Sequence, residues 1–199
     1  PGADDNATGV AAVLELAQLL SPNDYRLPLK FVLFDLEEAG LLGSEAFVAD
    51  EQEREGVKGA IILEMLGYRC ATEGCQSYPP LPITPPSTVG NFIAVVGDRA
   101  YPELIHSFSS EASTIPVYTL AIPTLGFMTP DLLRSDHVPF WKKGISAVMV
   151  TDTANFRNPH YHQVSDRPET IDSAFFLAAT QTTLEAITHL VPLLSDERG

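Results

Sequence analysis

Carboxylate and imidazole side chains recur beside the elements that this 199-residue sequence predicts. Asp35-Leu36-Glu37-Glu38 follows one apolar run, Glu64 follows a second, and His160-Tyr161-His162 lies in the loop after a later run. Asp4-Asp5 precedes the first predicted helix. Asp, Glu and His around one cleft are the ligand types that suit zinc or another divalent transition metal. These segments therefore predict a metal site assembled from four separate loops.

The adjacent pair Glu37-Glu38 has a particular use at such a site. In irregular backbone two neighbouring side chains point in different directions, so one can bind the metal while the other faces a water that the metal makes acidic. A carboxylate in that second position can accept the water's proton. An isolated Glu-Glu pair is usually solvated surface, and Asp4-Asp5 could simply stabilise a helix N-terminus. Glu64 is the most informative group, because a carboxylate beside a buried strand needs a partner.

The apolar pattern predicts strands that alternate with helices along one domain. The predicted strands are Leu29–Leu36 (with Phe31–Phe34 as its buried centre), Gly59–Leu66, Phe92–Val96, Val117–Ile122 and Ile145–Val150. The predicted helices are Val10–Leu20, Gly43–Asp50, Tyr101–Ser113, Val138–Lys143 and Ile171–Leu194, and the proline-rich run Pro79–Pro86 is predicted to be a surface loop. This order indicates an α/β fold with a largely parallel, covered sheet, in which reactive groups gather beyond the carboxyl ends of strands.

Composition excludes several classes of function. Lys and Arg number 12 against 26 Asp and Glu, which gives a formal net charge of -14. Such an acidic surface repels phosphate backbones, so we expect no nucleic-acid partner. Hydrophobic residues make up 45% of the chain and charged residues 19%, which argues against intrinsic disorder. No apolar run reaches the roughly 18 residues of a transmembrane helix, so no membrane span is predicted.

The two cysteines, Cys70 and Cys75, leave two alternatives open. Their spacing and the absence of a nearby His or second Cys pair argue against a structural zinc knuckle. A short-loop disulfide around the Gly74 turn is geometrically possible, and so are two free thiols. A disulfide would favour an oxidising compartment, so a secreted or periplasmic location is preferred to the cytoplasm.

As a set, the metal-ligand segments resemble the M28 family of co-catalytic zinc aminopeptidases and carboxypeptidases. The resemblance rests on five segments: Pro1-Gly2-Ala3-Asp4-Asp5-Asn6-Ala7-Thr8-Gly9, Phe34-Asp35-Leu36-Glu37-Glu38-Ala39-Gly40-Leu41-Leu42-Gly43-Ser44, Leu63-Glu64-Met65-Leu66-Gly67-Tyr68, Ser135-Asp136-His137 and Tyr161-His162-Gln163-Val164-Ser165-Asp166. It implies a zinc-dependent exopeptidase-like fold, with three α/β/α layers and a mostly parallel mixed central sheet. Residues 1–199 would form a single catalytic domain that lacks its N-terminal strands.

The resemblance also implies a role for each metal-site residue. Asp5 would bridge two zinc ions and would be followed by a cis peptide bond to Asn6. Glu37 would be the general base, and Glu38 and His162 would complete the ligands of one zinc. Glu64 would bind the other zinc; the family commonly has Asp at this position, and Glu keeps the carboxylate.

Three further residues take supporting roles by the same resemblance. Tyr161 would help to stabilise the oxyanion of the tetrahedral intermediate, while Asp136 and Asp4 would support the metal ligands. The family supplies one more ligand, a His in a His-x-Asp segment before the position of Pro1. None of the sequence's other histidines lies in such a segment, so we expect the chain to be part of a longer protein. Two zinc ions are expected in that protein, and one is possible in these 199 residues.

The function predicted in this way is hydrolysis of peptides by a zinc-dependent exopeptidase, most simply an aminopeptidase; a carboxypeptidase or dipeptidase is also compatible. Two alternatives are retained. One is a glutaminyl cyclase-type acyltransferase, which would use a single zinc held by Asp5, Glu38 and His162. The other is a catalytically inactive peptidase-like binding domain.

Overall fold

The structure is a computed structural model and describes residues 1–80, 84–108, 113–123 and 130–191. Its strands are β1 (Gly59–Glu64), β2 (Ile93–Asp98), β3 (Val117–Ile122) and β4 (Ser146–Thr151). Its α-helices are α1 (Gly9–Leu20), α2 (Leu42–Ala49), α3 (Glu51–Arg54), α4 (Pro102–His106), α5 (His137–Lys142) and α6 (Ser173–Leu190). Short 3-10 turns cover Pro130–Leu133, Ala154–Phe156 and Pro168–Thr170.

The four strands form one mixed sheet in the order β1-β4-β2-β3. β1 pairs with β4 and β2 pairs with β3 in parallel, whereas β2 and β4 are antiparallel. The edge that carries the carboxyl ends of β1 and β4 therefore also carries the amino ends of β2 and β3. This edge brings the loops after β1 and β4 together, which is where the sequence predicts metal ligands.

Helices cover both faces of the sheet. Alternate residues along the strands belong to two different apolar clusters, one on each face. Leu63, Val95 and Val150 pack with residues of α1, α4 and α6 on one face. Ile62 and Met149, their neighbours along the strands, pack with residues of α2 and α5 on the other. The predicted three-layer α/β/α arrangement with a mostly parallel mixed sheet is therefore confirmed.

Local sequence explains where the site-bearing helices begin and end. Ala12, Leu16 and Leu20 recur at a spacing of four residues and are buried against the sheet, which fixes the inner face of α1. Ser21-Pro22 follows, and proline cannot continue a helix. At the other end of the chain, the Asp172 carboxylate accepts the Phe175 N–H and so caps α6.

The predicted strand over Leu29–Leu36 is wrong for the described structure. A strand needs a hydrogen-bonded neighbour, and no strand within the described ranges pairs with this segment. Phe31 is 36% exposed and Leu33 is 51% exposed, although Phe34 packs into the cluster with α2 and α5. The apolar run is therefore not the buried strand that its composition suggested.

The other predicted elements are present, with ends that differ by a few residues. The helix predicted over Tyr101–Ser113 is α4, which ends at His106, and residues 109–112 lie outside the described residues. The same holds for residues 192–194 of the helix predicted over Ile171–Leu194 and for residues 81–83 of the predicted proline-rich loop. None of the described helices is long and apolar enough to cross a bilayer.

Candidate metal centre

Asp5 lies in the irregular turn Ala3–Thr8, just before α1, where Asp5 and Asn6 depart from helical backbone angles. The Asp5-Asn6 peptide bond is cis, as the resemblance predicts. The Asn6 side chain ties this turn to the end of β1: its Nδ2 donates to the Leu63 carbonyl at 2.9 Å, and its Oδ1 accepts the Met65 N–H at 3.0 Å. The position of Asp5 is thereby fixed relative to the sheet edge.

Two buried carboxylates support the same turn. The Asp166 carboxylate accepts the backbone N–H of Asp4 at 2.9 Å and that of Asp5 at 3.1 Å. Asp4 is fully buried, and its carboxylate accepts from the Gly67 N–H and from Asn158 Nδ2. The Asp4 side chain therefore contacts the backbone around the site and does not join the group of candidate ligand atoms.

Glu37 and Glu38 lie in a tight turn that leads into α2. The Gly40 N–H donates to the Glu37 carbonyl at 2.9 Å and the Leu41 N–H donates to it at 2.8 Å, and Leu36 and Leu41 both have positive φ. His162 also has a positive φ, of 56°, in the loop after β4, and its ring stacks on that of Tyr161 with centroids 3.8 Å apart. Both loops are held in backbone conformations that aim their side chains at the sheet edge.

Asp5, Glu38 and His162 each offer one ligand atom within 4.8 Å of the other two. His162 Nε2 lies 2.9 Å from Glu38 Oε1 and 3.2 Å from Asp5 Oδ2. The donors of a tetrahedral zinc site, each about 2.0–2.1 Å from the metal, lie roughly 3.3 Å apart. Two carboxylate oxygens and one imidazole nitrogen at these distances fit zinc in both chemistry and geometry.

Glu37 and Glu64 line the same cavity, outside that group of three. Burial, with the negative charges of Asp136, Glu38 and Asp5, raises the pKa of Glu37 to about 7. Burial raises the pKa of Glu64 to about 8, although a 2.6 Å hydrogen bond from Ser135 Oγ opposes the shift. Burial and the Glu38 charge raise the pKa of Asp5 to about 6. A bound cation would lower these values, because it favours the ionised carboxylates.

Asp136 and Tyr161 are held by neighbouring polar groups. The Asp136 carboxylate accepts a short hydrogen bond from Ser44 Oγ, and burial raises its pKa. Tyr161 Oη accepts from Arg134 Nη2 at 2.8 Å, and burial raises the pKa of the Tyr161 phenol. Asp136 lies near Glu37, and Tyr161 lies against His162 of the three-donor group.

A cavity of about 540 Å³ opens beside Asp5 and Glu38 of the candidate ligand group. Many of its other lining residues are apolar or aromatic, among them Tyr78, Phe92, Val96, Tyr118, Leu120, Leu132, Met149 and Phe156. Arg134 and Tyr161 line it as well. The site therefore combines a cluster of carboxylates with room for an apolar side chain.

All eight sequence-predicted site residues lie at or behind this sheet edge, and their roles remain predictions. Sequence reasoning missed Arg134, which contacts Tyr161, and Ser135, which holds Glu64. It also gave no role to Asn6 and Asn158, whose amides fix the turn around Asp5. The signal that could have found Arg134 and Ser135 is their position directly before Asp136 in Arg134-Ser135-Asp136-His137.

Cys70 and Cys75 are joined in a disulfide, which is one of the two alternatives left open by the sequence. The backbone after this loop forms part of the cavity wall. The Gln76 N–H donates to the Thr88 carbonyl at 3.2 Å and the Ser77 N–H donates to the Phe156 carbonyl at 2.8 Å. The disulfide thus closes a short loop next to residues that line the site.

A three-layer α/β/α domain that collects Asp, Glu and His at one sheet edge defines the metallo-hydrolase class of fold and site. Residues 1–187 match the model of peptidase family M28, and the chain belongs to that family.

Relatives with known sequences agree with this assignment. The chain is 37% identical over 180 residues to the uncharacterised protein YfbL of Escherichia coli K12. The aligned region covers 86% of this chain and 54% of YfbL. It is 29% identical to leucine aminopeptidase 1 of Pyrenophora tritici-repentis, over 92% of this chain and 45% of that protein. The chain therefore spans about half the length of these relatives.

Solved structures support the fold. The structure of BSAP, a zinc aminopeptidase from Bacillus subtilis, superposes with a TM-score of 0.71 at 23% identity. The match covers 96% of this chain and 42% of the BSAP chain. At this level of identity the likeness establishes the shared fold.

Proposed function

We propose that the protein is a zinc-dependent exopeptidase, in the first instance an aminopeptidase that releases N-terminal residues from peptides. The observation that carries the proposal is the convergence of Asp5, Glu38 and His162 within 4.8 Å, beside a cavity that Glu37 also lines. Membership of family M28 and the aminopeptidase relatives add support. A peptide is therefore the proposed substrate.

Zinc would be held by Asp5 Oδ2, Glu38 Oε1 and His162 Nε2. A second ion would share Asp5 and take Glu64 as a further ligand. When bound, zinc supplies Lewis-acid polarisation of a carbonyl and acidification of water. Metal analysis of the purified protein measures how many zinc ions are bound per chain.

Glu37 is the group proposed to move the proton. Its pKa, raised to about 7 by burial and by neighbouring carboxylates, lies near neutral pH in the absence of metal. Bound zinc would lower this pKa and keep Glu37 ionised, which is the form in which its carboxylate can accept a proton. Glu37 would accept a proton from water and return it to the leaving amine, while the Tyr161 hydroxyl would donate to the developing oxyanion.

The cavity wall favours a large apolar N-terminal residue in the substrate. Tyr78, Phe92, Tyr118 and Leu120 would surround that side chain and remove its apolar surface from water. We expect leucine or phenylalanine to be released faster than aspartate, because a negatively charged side chain would meet apolar walls near several carboxylates. The name leucine aminopeptidase, borne by one relative, agrees with this preference.

The proposal is tested by incubating the purified protein with the tripeptide Leu-Ala-Ala, from which an aminopeptidase first releases leucine and a carboxypeptidase first releases alanine, and measuring the free amino acids over time. Activity should appear with zinc, disappear after chelator treatment and return when zinc is restored. Absence of leucine release from protein that binds zinc would overturn the proposed activity. Magnesium added in place of zinc is the matched control, because Mg²⁺ prefers octahedral oxygen ligands and fits this donor set poorly.

A single-zinc glutaminyl cyclase is the second candidate. It is favoured by one observation: the group of metal-binding side chains found among the described residues contains only Asp5, Glu38 and His162. Ammonia release from a peptide with N-terminal Gln, without release of an amino acid, would support this candidate. An inactive binding domain would instead be supported by zinc content near zero after supplementation.

We also propose that the protein works outside the cytoplasm, in a secreted or periplasmic location. The support is the bond between Cys70 and Cys75, since disulfides persist in oxidising compartments. Thiol labelling of protein taken from its native compartment should find both cysteines blocked until a reductant is added. Free labelling without reductant would contradict the proposed location.

A further inference from the structure

Arg134 is a cation beside a site made mostly of carboxylates. It lines the cavity together with Asp5, Glu37, Glu38 and Glu64. Its guanidinium Nη2 donates to Tyr161 Oη at 2.8 Å, and its guanidinium carbon Cζ lies 5.8 Å from the centre of the Tyr161 ring. Arg134 and the Tyr161 phenol are thus in contact where both line the cavity.

This hydrogen bond determines what the Tyr161 hydroxyl can still do. A phenol oxygen carries one hydrogen to donate and can accept as well. Arginine has no acceptor, so in this pair the phenol oxygen must accept and its own hydrogen must point elsewhere. The Tyr161 ring is also stacked on His162, with centroids 3.8 Å apart, which limits its rotation. The hydroxyl hydrogen is therefore left available for a group inside the cavity.

The charge of the guanidinium acts in the same direction. A positive charge next to the phenol oxygen strengthens the O–H as a donor, and hydrogen bonds that involve an ion are stronger than neutral ones. Glu37 and Glu38 have the opposite effect, because their negative charges disfavour developing negative charge on a substrate oxygen. Arg134 offsets those charges at the one edge of the cavity where the phenol lies.

We propose that Arg134 is a positioning residue that holds the Tyr161 phenol so that its hydroxyl donates to the substrate's carbonyl oxygen as that oxygen becomes negative. The inference rests on the proposed function. Arg134 acts through Tyr161 and does not itself touch the reacting atoms. The competing role for an arginine at this place is direct binding of a free carboxylate on the substrate.

A double-mutant cycle separates the two roles. Arg134→Met, Arg134→Lys and Tyr161→Phe are assayed alone, and Arg134→Met is also assayed in the Tyr161→Phe background. The substrates are leucine p-nitroanilide, which has no carboxylate, and Leu-Ala, which has one. Arg134 is exposed, so its variants are expected to fold, and zinc content and thermal unfolding are measured for each.

The positioning role predicts a loss in kcat. Arg134→Met should lower kcat about 10- to 100-fold on both substrates, the worth of a hydrogen bond to a charged group, with KM changed less than about twofold. Arg134→Lys should recover much of the loss, because a lysine amine can also donate to the phenol. In the Tyr161→Phe background, Arg134→Met should cost less than about twofold, since residues that act as a unit are not additive.

Two results would overturn the inference. One is a loss from Arg134→Met that multiplies fully with that of Tyr161→Phe. The other is an effect confined to KM on Leu-Ala, which would identify Arg134 as a carboxylate-binding residue.

A binding measurement keeps this test separate from that of the proposed function. The phosphonic acid analogue of leucine carries the tetrahedral oxygens that the Tyr161 hydroxyl would meet, and calorimetry gives its Kd for each zinc-loaded variant. Arg134→Met should weaken binding about 10-fold with Tyr161 present and less than about twofold in the Tyr161→Phe background. If wild-type protein hydrolyses neither substrate, the proposed function fails, whereas equal weakening in both backgrounds refutes the positioning role alone.

Discussion

Each proposed metal ligand depends on the residues that hold its backbone. Asp5 is the clearest case, because the buried Asp166 carboxylate accepts the backbone N–H groups of both Asp4 and Asp5. Asn6 adds two hydrogen bonds to the end of β1. The candidate metal site is thus fixed largely by groups that would not touch a metal, and outer contacts of this kind tune affinity.

Replacing Asp166 tests that dependence. Asp166→Asn removes the charge and turns one of the two accepting oxygens into a donor that faces a backbone N–H. Zinc affinity should fall about 10- to 100-fold, the usual effect of losing an outer-shell partner, when measured by competition with a chelating dye. Asp24→Asn, an exposed change far along the chain, is the control and should leave affinity unchanged.

His137 gives the protein a pH-dependent stability. Burial lowers its pKa to about 4, against the ordinary 6.5, although Nε2 donates to the Leu132 carbonyl at 2.9 Å. The Nδ1 atom is buried and has no hydrogen-bond partner in the described part of the chain. A second N–H, which protonation would create, would therefore be left unpaired.

The sign of this pH dependence follows from the two pKa values. Below pH 6.5 His137 becomes protonated in the unfolded chain, whereas in the folded protein it stays neutral down to about pH 4. The free energy of unfolding therefore falls as the pH is lowered through this window. The loss approaches about 3 kcal/mol at its acid end. His137→Gln removes this titration. The difference in urea unfolding free energy between wild type and His137→Gln should therefore shrink as the pH is lowered from 7 to 4.5. A constant difference would contradict the account.

At the scale of elements, α1 meets the sheet through a glycine. A Cβ added at Gly9 would lie 2.5 Å from the Leu63 carbonyl oxygen and 2.5 Å from Asn6 Oδ1. Only glycine permits this approach of the helix start to the end of β1. The turn that carries Asp5 lies immediately before this contact, so helix packing and site geometry are linked.

Gly9→Ala should therefore disturb both stability and metal binding. The clash is with backbone, which cannot move aside easily, so we expect a loss of about 1–3 kcal/mol in the urea unfolding free energy and weaker zinc binding. Glu15→Ala, on the exposed face of the same helix, should change stability by less than about 0.5 kcal/mol. Equal effects of the two changes would show that the contact at Gly9 is unimportant.

Regular apolar patterns made most elements predictable, and tertiary pairing decided the exception. The 3.6-residue pattern predicted α1, and the apolar run at Val117–Ile122 coincides with β3. Phe31–Phe34 has an equally apolar composition, but a strand is defined by its neighbour, and local sequence does not encode that neighbour. Likewise, the ligand types could be predicted from their order along the chain, whereas the Arg134 contact with Tyr161 depends on two loops meeting in space.

At the scale of the whole molecule, the net charge of -14 takes on a different meaning. Asp5, Glu37, Glu38 and Glu64 concentrate part of that charge at one cavity, where burial raises several of their pKa values. Gathering like charges in this way costs free energy unless cations offset it. Zinc binding is therefore expected to stabilise the folded state as well as to supply chemistry.

The central claim is that Glu37 transfers the proton during zinc-dependent peptide hydrolysis, and one substitution tests it directly. Glu37→Gln keeps the size of the side chain and removes its basic oxygen, whereas Glu51→Gln changes an exposed glutamate on α3. For each protein, leucine release from Leu-Ala and bound zinc are measured together. The account predicts that Glu37→Gln retains its zinc and loses hydrolysis by about 10³-fold, with Glu51→Gln equal to wild type. Zinc-loaded Glu37→Gln that hydrolyses Leu-Ala at the wild-type rate would contradict it.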